Sequence, residues 1–398
     1  MTEIRITVSN TSDLGGTFLT PFWFGFHDSS FDVFTSGLAA SDGLEMIAED
    51  GDASGLGAEL AATDGDGQGG VVTGERGPIA TREQTSTIVD VDGVSNGFLS
   101  LAAMLLPSND AFVATRDALQ LFDGAGNFLG AQNMQFEGDD VYDAGTEVNT
   151  ELDAAFLNQM GPNTGVDENG VITLHPGFNG SAGNPVGEGD QLILGGTNAF
   201  GFEIDEVAAD FTLDGAQIAN VHANLVTRTE GDDEDSNFIG DATDDLVDGL
   251  GGDDRLLGRD GYDVLDGGRG EDTLQGGRGR DELFGNRSDD LLRGGRGDDL
   301  LEGGAGDDRL SGGQGNDVLD GGTGTNQLFG REGADIFLFT AGENIVRDFD
   351  RAEGDRVVLE LEALGLAEGV TIDDLAEEQA NGVLISVDED TSLLLVGQ

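Results

Sequence analysis

The chain has no cysteine among its 398 residues, which excludes disulfide bonds, thiolate catalysis, cysteine-ligated zinc and iron–sulfur clusters. It has no lysine either: all 18 basic residues are arginine, against 79 Asp and Glu, and the formal net charge is −61. Nucleic acid and anionic membrane surfaces repel such a chain, so neither is expected as a partner. It attracts cations instead, and hard divalent ions such as calcium take the carboxylate and carbonyl oxygens that Asp, Glu and Gly-rich turns supply. No run of about 18 apolar residues occurs, so no transmembrane segment is expected. The opening MTEIRITVSN lacks the apolar core of a secretory signal and reads as a strand entering a domain, so export has to be read from elsewhere in the chain. At roughly 150 residues per domain, the length predicts two or three domains.

The strongest signal is a repeat. Residues 240–338 divide into eleven successive nonapeptides without an insertion, the clearest being GGRGEDTLQ (267–275), GGRGDDLLE (294–302), GGAGDDRLS (303–311) and GGQGNDVLD (312–320). Gly opens all eleven copies and fills the fourth place in nine, Thr243 and Ser288 being the exceptions. The eighth place is always large and apolar, from Val247 and Leu256 to Leu328 and Phe337. The sixth place is Asp in ten copies, Asp245, Asp254, Asp263, Asp272, Asp281, Asp290, Asp299, Asp308, Asp317 and Asp335, and Asn326 in the other.

Glycines at fixed places permit positive φ, so the first six residues predict a turn and the last three a short strand. One apolar side chain per nine residues builds a core only if copies stack, two per coil, with their apolar ladders meeting inside. Copies two apart then lie about 4.8 Å from each other, which lines the Asp carboxylates into columns. Two unit charges about 5 Å apart repel by roughly 3 kcal/mol at an effective dielectric of 20. A cation between rungs reverses that sign, and calcium suits it because it accepts six to eight oxygens. The nonapeptides are similar to the calcium-binding repeats of the repeats-in-toxin family, whose fold is a parallel β-roll. The resemblance implies several calcium ions, some five to eight, with Asp254, Asp263, Asp272, Asp281, Asp290, Asp299, Asp308, Asp317 and Asp335 as ligands.

From residue 339 the nine-residue period fades into NIVRDFDRAEGDRVVLELEAL and TIDDLAEEQANGVLISVDEDTSLLLVGQ. A cap is expected there, because a solenoid end exposes apolar rungs and open backbone. The segment resembles the C-terminal ends of repeats-in-toxin proteins, which implies an uncleaved signal for one-step (type I) bacterial export. Low calcium inside the cell and millimolar calcium outside would then couple export to folding.

Residues 1–226 read as mostly strand, with EIRITVSN, LTPFWFGFHD, TSTIVDVDG, GFLSLAAMLL, DALQLFDGAG, QLILGG, FGFEIDEV and AQIANVHANLV separated by turns. Helix is expected at 44–51 and 57–63, and the polar, acidic stretch 227–239 reads as a linker. The overall expectation is an all-β chain: an antiparallel β-sandwich followed by a parallel β-roll and a cap.

FWFGFHD, GLEMIAEDGD, SLAAMLLPSNDAFVA and YDAGTEVNTEL, in that order, resemble the spondin N-terminal domain in its bacterial form. The resemblance implies a C2-like sandwich, a role in extracellular adhesion, and one calcium held by Asp110 in PSNDAF with Asp143 and Glu147 in YDAGTE. Glu147 is one methylene longer than the Asp of some animal members, and those members' disulfides are missing.

Weaker motifs carry less. DGDGQGGVVTGE (64–75) approaches an EF-hand loop through Asp64, Asp66, Gly69 and Glu75, but Gln68 stands at the fifth place, and a surface turn is expected. GVSNG (93–97) has the spacing of a nucleophile elbow at Ser95, followed by His175 and His222, but its all-β context points to a hairpin turn. His27, His175 and His222 are scattered and read as packing or surface groups, and no H-E-x-x-H zinc motif occurs. The expectation is a secreted, extracellular, non-enzymatic calcium-binding protein that recognises a matrix, cell-surface or glycan component. A hydrolase with its site in the front domain, and a calcium-assembled matrix or surface-layer component, stay open.

Overall fold

The computed structural model describes residues 1–12, 17–74, 77–81, 83–106, 111–144, 171–174, 216–361, 363–366, 371, 375–379, 382–387 and 391–396. They form two units, Met1–Leu225 and Val226–Gln398. No helix among these residues is long and apolar enough to cross a membrane.

The front unit is an antiparallel sandwich. Its elements are β1 (Thr2–Asn10), β2 (Phe22–His27), α1 (Asp42–Asp50), α2 (Ser54–Thr63), β3 (Gln68–Val72), β4 (Gln84–Val91), β5 (Phe98–Leu106), β6 (Ala111–Ala114), β7 (Gln132–Glu137), β8 (Val141–Asp143) and β9 (Gln217–Asp232), with some shorter strands. One sheet has the order β7–β9–β1–β4, and the other runs from Thr173–Leu174 through β8, β6, β5 and β2 to β3. Strand periodicity explains the layers. Phe22, Phe24 and Phe26 point into the core between the sheets, with Ile4, Ile6, Val8, Leu99, Leu101, Val221 and Ala223. Trp23, between them in sequence, points to the opposite face, where Leu44, Ile47, Ala48, Leu56 and Leu60 of the two helices cover it. A sheet buried on both faces accounts for the near-continuous apolar run FLSLAAMLL in β5. Helix α1 starts where the Ser41 hydroxyl accepts from the Leu44 N–H and stops at Gly51, at φ 66°. The expected strands QLILGG and FGFEIDEV lie outside the described residues.

The second unit is a parallel solenoid of about seven turns over residues 226–359. Its register is 18 residues, two nonapeptides per coil: Leu256 pairs with Leu274, Leu274 with Leu292 and Leu292 with Leu310 on one sheet. On the other, Val247 pairs with Leu265, Leu265 with Leu283 and Leu283 with Leu301. The eighth-place residues from Leu265 to Phe337 are fully buried, so the two ladders are the core. The turns depend on positive φ at the second and fourth places. At the fourth place Gly297 has φ 113°, and a Cβ there would stand 1.9 Å from the Gly279 carbonyl oxygen one coil back. Ser288, which replaces Gly at that place, keeps φ 79°, a strained state for a residue with a Cβ.

Residues 227–239, expected as a linker, belong instead to the roll. Val226–Asp232 within β9 pairs with Asp244–Leu250, and Asn237–Ile239 pairs with Arg255–Leu257. Phe238 there takes the eighth place opposite Leu256, but Glu234 stands where the fourth-place Gly is usual and Ser236 where Asp is, so the nine-residue signal vanishes. The same holds beyond 338. Residues 339–347 form one more degenerate copy, with Gly342, Asn344 and Val346 at the fourth, sixth and eighth places. The cap then closes one sheet: Ser392–Leu395 adds in parallel to Glu343–Val346, followed by the antiparallel strands Gly382–Ser386 and Ala376–Gln379.

Leu292→Ala removes a fully buried rung and is expected to destabilise the roll by about 2–5 kcal/mol. Gly297→Ala adds both a strained φ and a backbone clash and is expected to lose at least about 1–3 kcal/mol. Thermal unfolding of the full chain checks both.

Candidate metal centre

Stacking brings the sixth-place residues into two columns. The first holds Asp245, Asp263, Asp281, Asp299, Asp317 and Asp335, and the second Asp254, Asp272, Asp290 and Asp308 followed by Asn326. Every one of these Asp residues is at most 3 % exposed. One oxygen of each carboxylate from Asp254 to Asp317 has a fixed role: Oδ1 accepts from the backbone N–H eighteen residues earlier, at 2.7–2.9 Å, as between Asp272 N–H and Asp290. Asp335 Oδ1 takes the Asp317 N–H at 2.9 Å. These bonds set the coil register and aim the other oxygen inward.

That other oxygen decides the chemistry. Oδ2 of Asp245, Asp254, Asp263, Asp272, Asp290, Asp299, Asp308, Asp317 and Asp335 is buried and meets no hydrogen-bond donor. A buried carboxylate oxygen left without a donor is costly. It points into the space beneath the first glycine of its own copy: a Cβ on Gly285 would lie 2.5 Å from Asp290 Oδ2 and 2.7 Å from the Gly303 carbonyl oxygen one coil on. Gly303 repeats this with Asp308 Oδ2 at 2.5 Å and the Gly321 carbonyl at 2.8 Å. Carboxylate and carbonyl oxygens thus face one small space, a hard donor set that fits calcium. Among the described residues no three Asp, Glu or His side chains gather to hold a metal ion, so an ion in the roll would draw part of its shell from backbone carbonyls. Five gaps in the first column and three in the second lie between consecutive sixth-place Asp residues. Asp245, left out of the expected ligand set, is buried with the rest and borders one of them.

A second ladder escaped the sequence reading. At the fifth place, Asp235, Asp253, Asp289, Asp298 and Asp307 accept through Oδ1 from the N–H eighteen residues later, at 2.6–3.0 Å. The fifth place therefore reaches forward and the sixth backward, clamping each coil to both neighbours. The Asp-Asp pairs at 253–254, 289–290, 298–299 and 307–308 are its signature in the sequence.

In the front unit Asp143 ends β8, buried, and pairs with Ala111 of β6 and with Thr173. Asp110 and Glu147 lie outside the described residues, as do Glu75 and His175. Asp64 caps α2, accepting from the Asp28 N–H at 2.9 Å and the Asp66 N–H at 3.1 Å, while Gly69 sits in β3, so segment 64–74 is a helix cap and a strand. Ser95 lies in a turn between β4 and β5, which belong to different sheets, so the turn is not the expected hairpin. A strand, not the helix of a nucleophile elbow, follows it. His27 is buried, with Nδ1 accepting from the Ser29 N–H at 3.1 Å and Nε2 2.9 Å from Ser100 Oγ. Burial holds its pKa below the ordinary value against the pull of Asp64, Asp28 and Asp32. His222 Nδ1 is 2.8 Å from Asn133 Oδ1.

Burial pushes Asp263, Asp290 and Asp299 up to about 8, Asp317 to about 7, and Asp245, Asp272, Asp308 and Asp335 to about 6. Neighbouring carboxylates add to the shift at each of them. Between the unfolded value of 3.8 and those raised values the folded roll binds more protons than the unfolded chain, so its metal-free stability rises as pH falls through that window. With calcium the order reverses, because the ion needs ionised carboxylates and protons displace it. Melting in a chelator is therefore expected to shift to higher temperature from pH 8 to pH 5, and melting in excess calcium to shift lower; a pH-independent midpoint in chelator would contradict the assignment.

Comparison with known proteins agrees with this division. The family model described as Spondin_N matches residues 20–159. The RTX calcium-binding nonapeptide repeat matches four times, over 230–265, 266–301, 302–337 and 311–346. No curated protein matches the chain. The chain is a fusion of an N-terminal spondin domain with calcium-binding nonapeptide repeats of the RTX family.

Proposed function

We propose that this is a secreted recognition protein that acts by binding rather than catalysis: the spondin domain engages a matrix, cell-surface or glycan component, and the calcium-folded roll carries it. The observation that carries the reading is the column of buried carboxylate oxygens without donors, which supports a roll that folds where calcium is plentiful. Both matched families are typical of extracellular proteins. Export by a one-step route through the C-terminal segment fits a chain whose roll stays open while calcium is scarce. In the spondin domain, the proposed site uses Asp110, Asp143 and Glu147 for one further ion; Ala111, the residue after Asp110, pairs directly with Asp143.

The test uses the full chain in millimolar calcium. It is expected to bind at least one component on an array of neutral glycans and matrix proteins. Asp143→Asn is expected to lower bound calcium by one ion per chain and to weaken that binding at least tenfold. A folded, calcium-loaded chain that binds nothing on the array, with unchanged calcium content in Asp143→Asn, would overturn the reading. Release into the medium of a bacterial host is expected only when a one-step exporter is co-expressed.

A further inference from the structure

The two columns end differently. The first stays acidic to its end, where the Asp335 N–H donates to Asp355 Oδ1 at 3.1 Å. The second passes from Asp308 to Asn326 and then, one coil on, to Asn344, both buried at 0 and 1 % exposure. Asn326 Oδ1 accepts from the Asp308 N–H at 2.8 Å, as a sixth-place Asp does. Its Nδ2 donates to the Gly322 carbonyl at 3.2 Å and to Asn344 Oδ1 at 3.1 Å. Asn344 Nδ2 donates in turn to the Ala341 carbonyl at 2.6 Å. Every polar side-chain atom of this pair has a partner, whereas Asp308 Oδ2 one coil earlier has none.

The space beneath the first-place glycine shows the exchange directly. Under Gly303 the nearest atom to an added Cβ is Asp308 Oδ2, at 2.5 Å. Under Gly321 it is Asn344 Oδ1, at 2.1 Å, with Asn326 Nδ2 at 2.8 Å. An amide–amide hydrogen bond fills the place that elsewhere holds an oxygen without a donor.

We propose that Asn326 and Asn344 form a calcium-independent rung that ends the second column. That column then takes ions only between Asp254 and Asp308, and the strands that carry Asn326 and Asn344, Thr325–Glu332 and Glu343–Val346, keep their mutual register without calcium. The reason is elementary: a neutral amide is donor and acceptor at once and stacks on a copy of itself without repulsion, whereas a carboxylate accepts only and needs a cation between copies. The number of ions in this column rests on the calcium reading of the Asp gaps; the stability of the amide rung does not.

The test combines two measurements on the full chain, bound calcium by equilibrium dialysis and amide hydrogen exchange in excess chelator. Asn326→Asp is expected to bind one ion more than the native chain and Asp308→Asn one fewer. In chelator the native strand Thr325–Glu332 is expected to exchange more slowly than the strand Leu291–Arg296 of the same column, and Asn326→Asp to lose that difference. Should Asn326→Asp fail to fold, Asn326→Ala removes the donor without adding charge and is expected to lose the protection while keeping the native ion count. An unchanged ion count in a folded Asn326→Asp chain, or equal exchange of the two native segments, overturns the proposal. A native chain that binds no calcium would sink the calcium reading alone, and the exchange comparison would still decide the rung.

Discussion

Buried carboxylates stacked at strand spacing are the interaction on which the second unit turns. The glycine turns, the fifth- and sixth-place clamps and the apolar ladder all bring like charges together where water is absent. Coulomb repulsion and lost hydration act in the same direction, against folding, unless protons or cations intervene. The raised affinity of these groups for protons and their fit to a hard cation are two expressions of that single conflict. Calcium removes it at neutral pH, which makes the ion part of the fold.

The front unit is built without that dependence. Its central sheet is buried on both faces, by the facing sheet on one side and by two helices on the other. Apolar burial of this kind stabilises a domain in the absence of any ion. The chain thus joins a unit whose core is ordinary to one whose core is a narrow ladder supplemented by metal. Such a pairing concentrates the dependence of the fold on calcium in the second unit.

Much of this was legible in the sequence because the repeat combines three independent signals in one period: glycine at the turn, Asp at the sixth place and an apolar residue at the eighth. Where all three coincide, coil register and carboxylate columns follow from spacing alone. The end coils are hidden in the sequence because they keep the apolar rung but not the sixth-place Asp. Phe238 and Val346 hold their places in the ladder, but Ser236 and Asn344 replace Asp, and a polar strand then reads as linker or tail. The fifth-place ladder was hidden because its hydrogen bonds use backbone N–H groups of another coil, and only the doubled Asp hints at it. In the front unit, EIRITVSN, FWFGFH, TSTIVDV, FLSLAAMLL and QIANVHANLV stand out as strands, whereas Gln68–Val72, Ala111–Ala114 and Gln132–Glu137 do not, and the burial of Trp23 under the helices explains why β2 reads as a solid apolar run rather than an alternating one. The Ser95 turn differs from the hairpin that the sequence suggests because sequence shows that two strands are consecutive and not that they lie in different sheets.

The central claim is that calcium and the roll fold together. It is tested most directly by titrating the full chain with calcium at neutral pH while following bound ions and far-ultraviolet circular dichroism in the same samples. The account predicts that several ions bind cooperatively and that strand signal rises with them, over a background of strand that the front unit supplies before any calcium is added. Complete strand signal in chelator at neutral pH, with no ions taken up on addition of calcium, would contradict it.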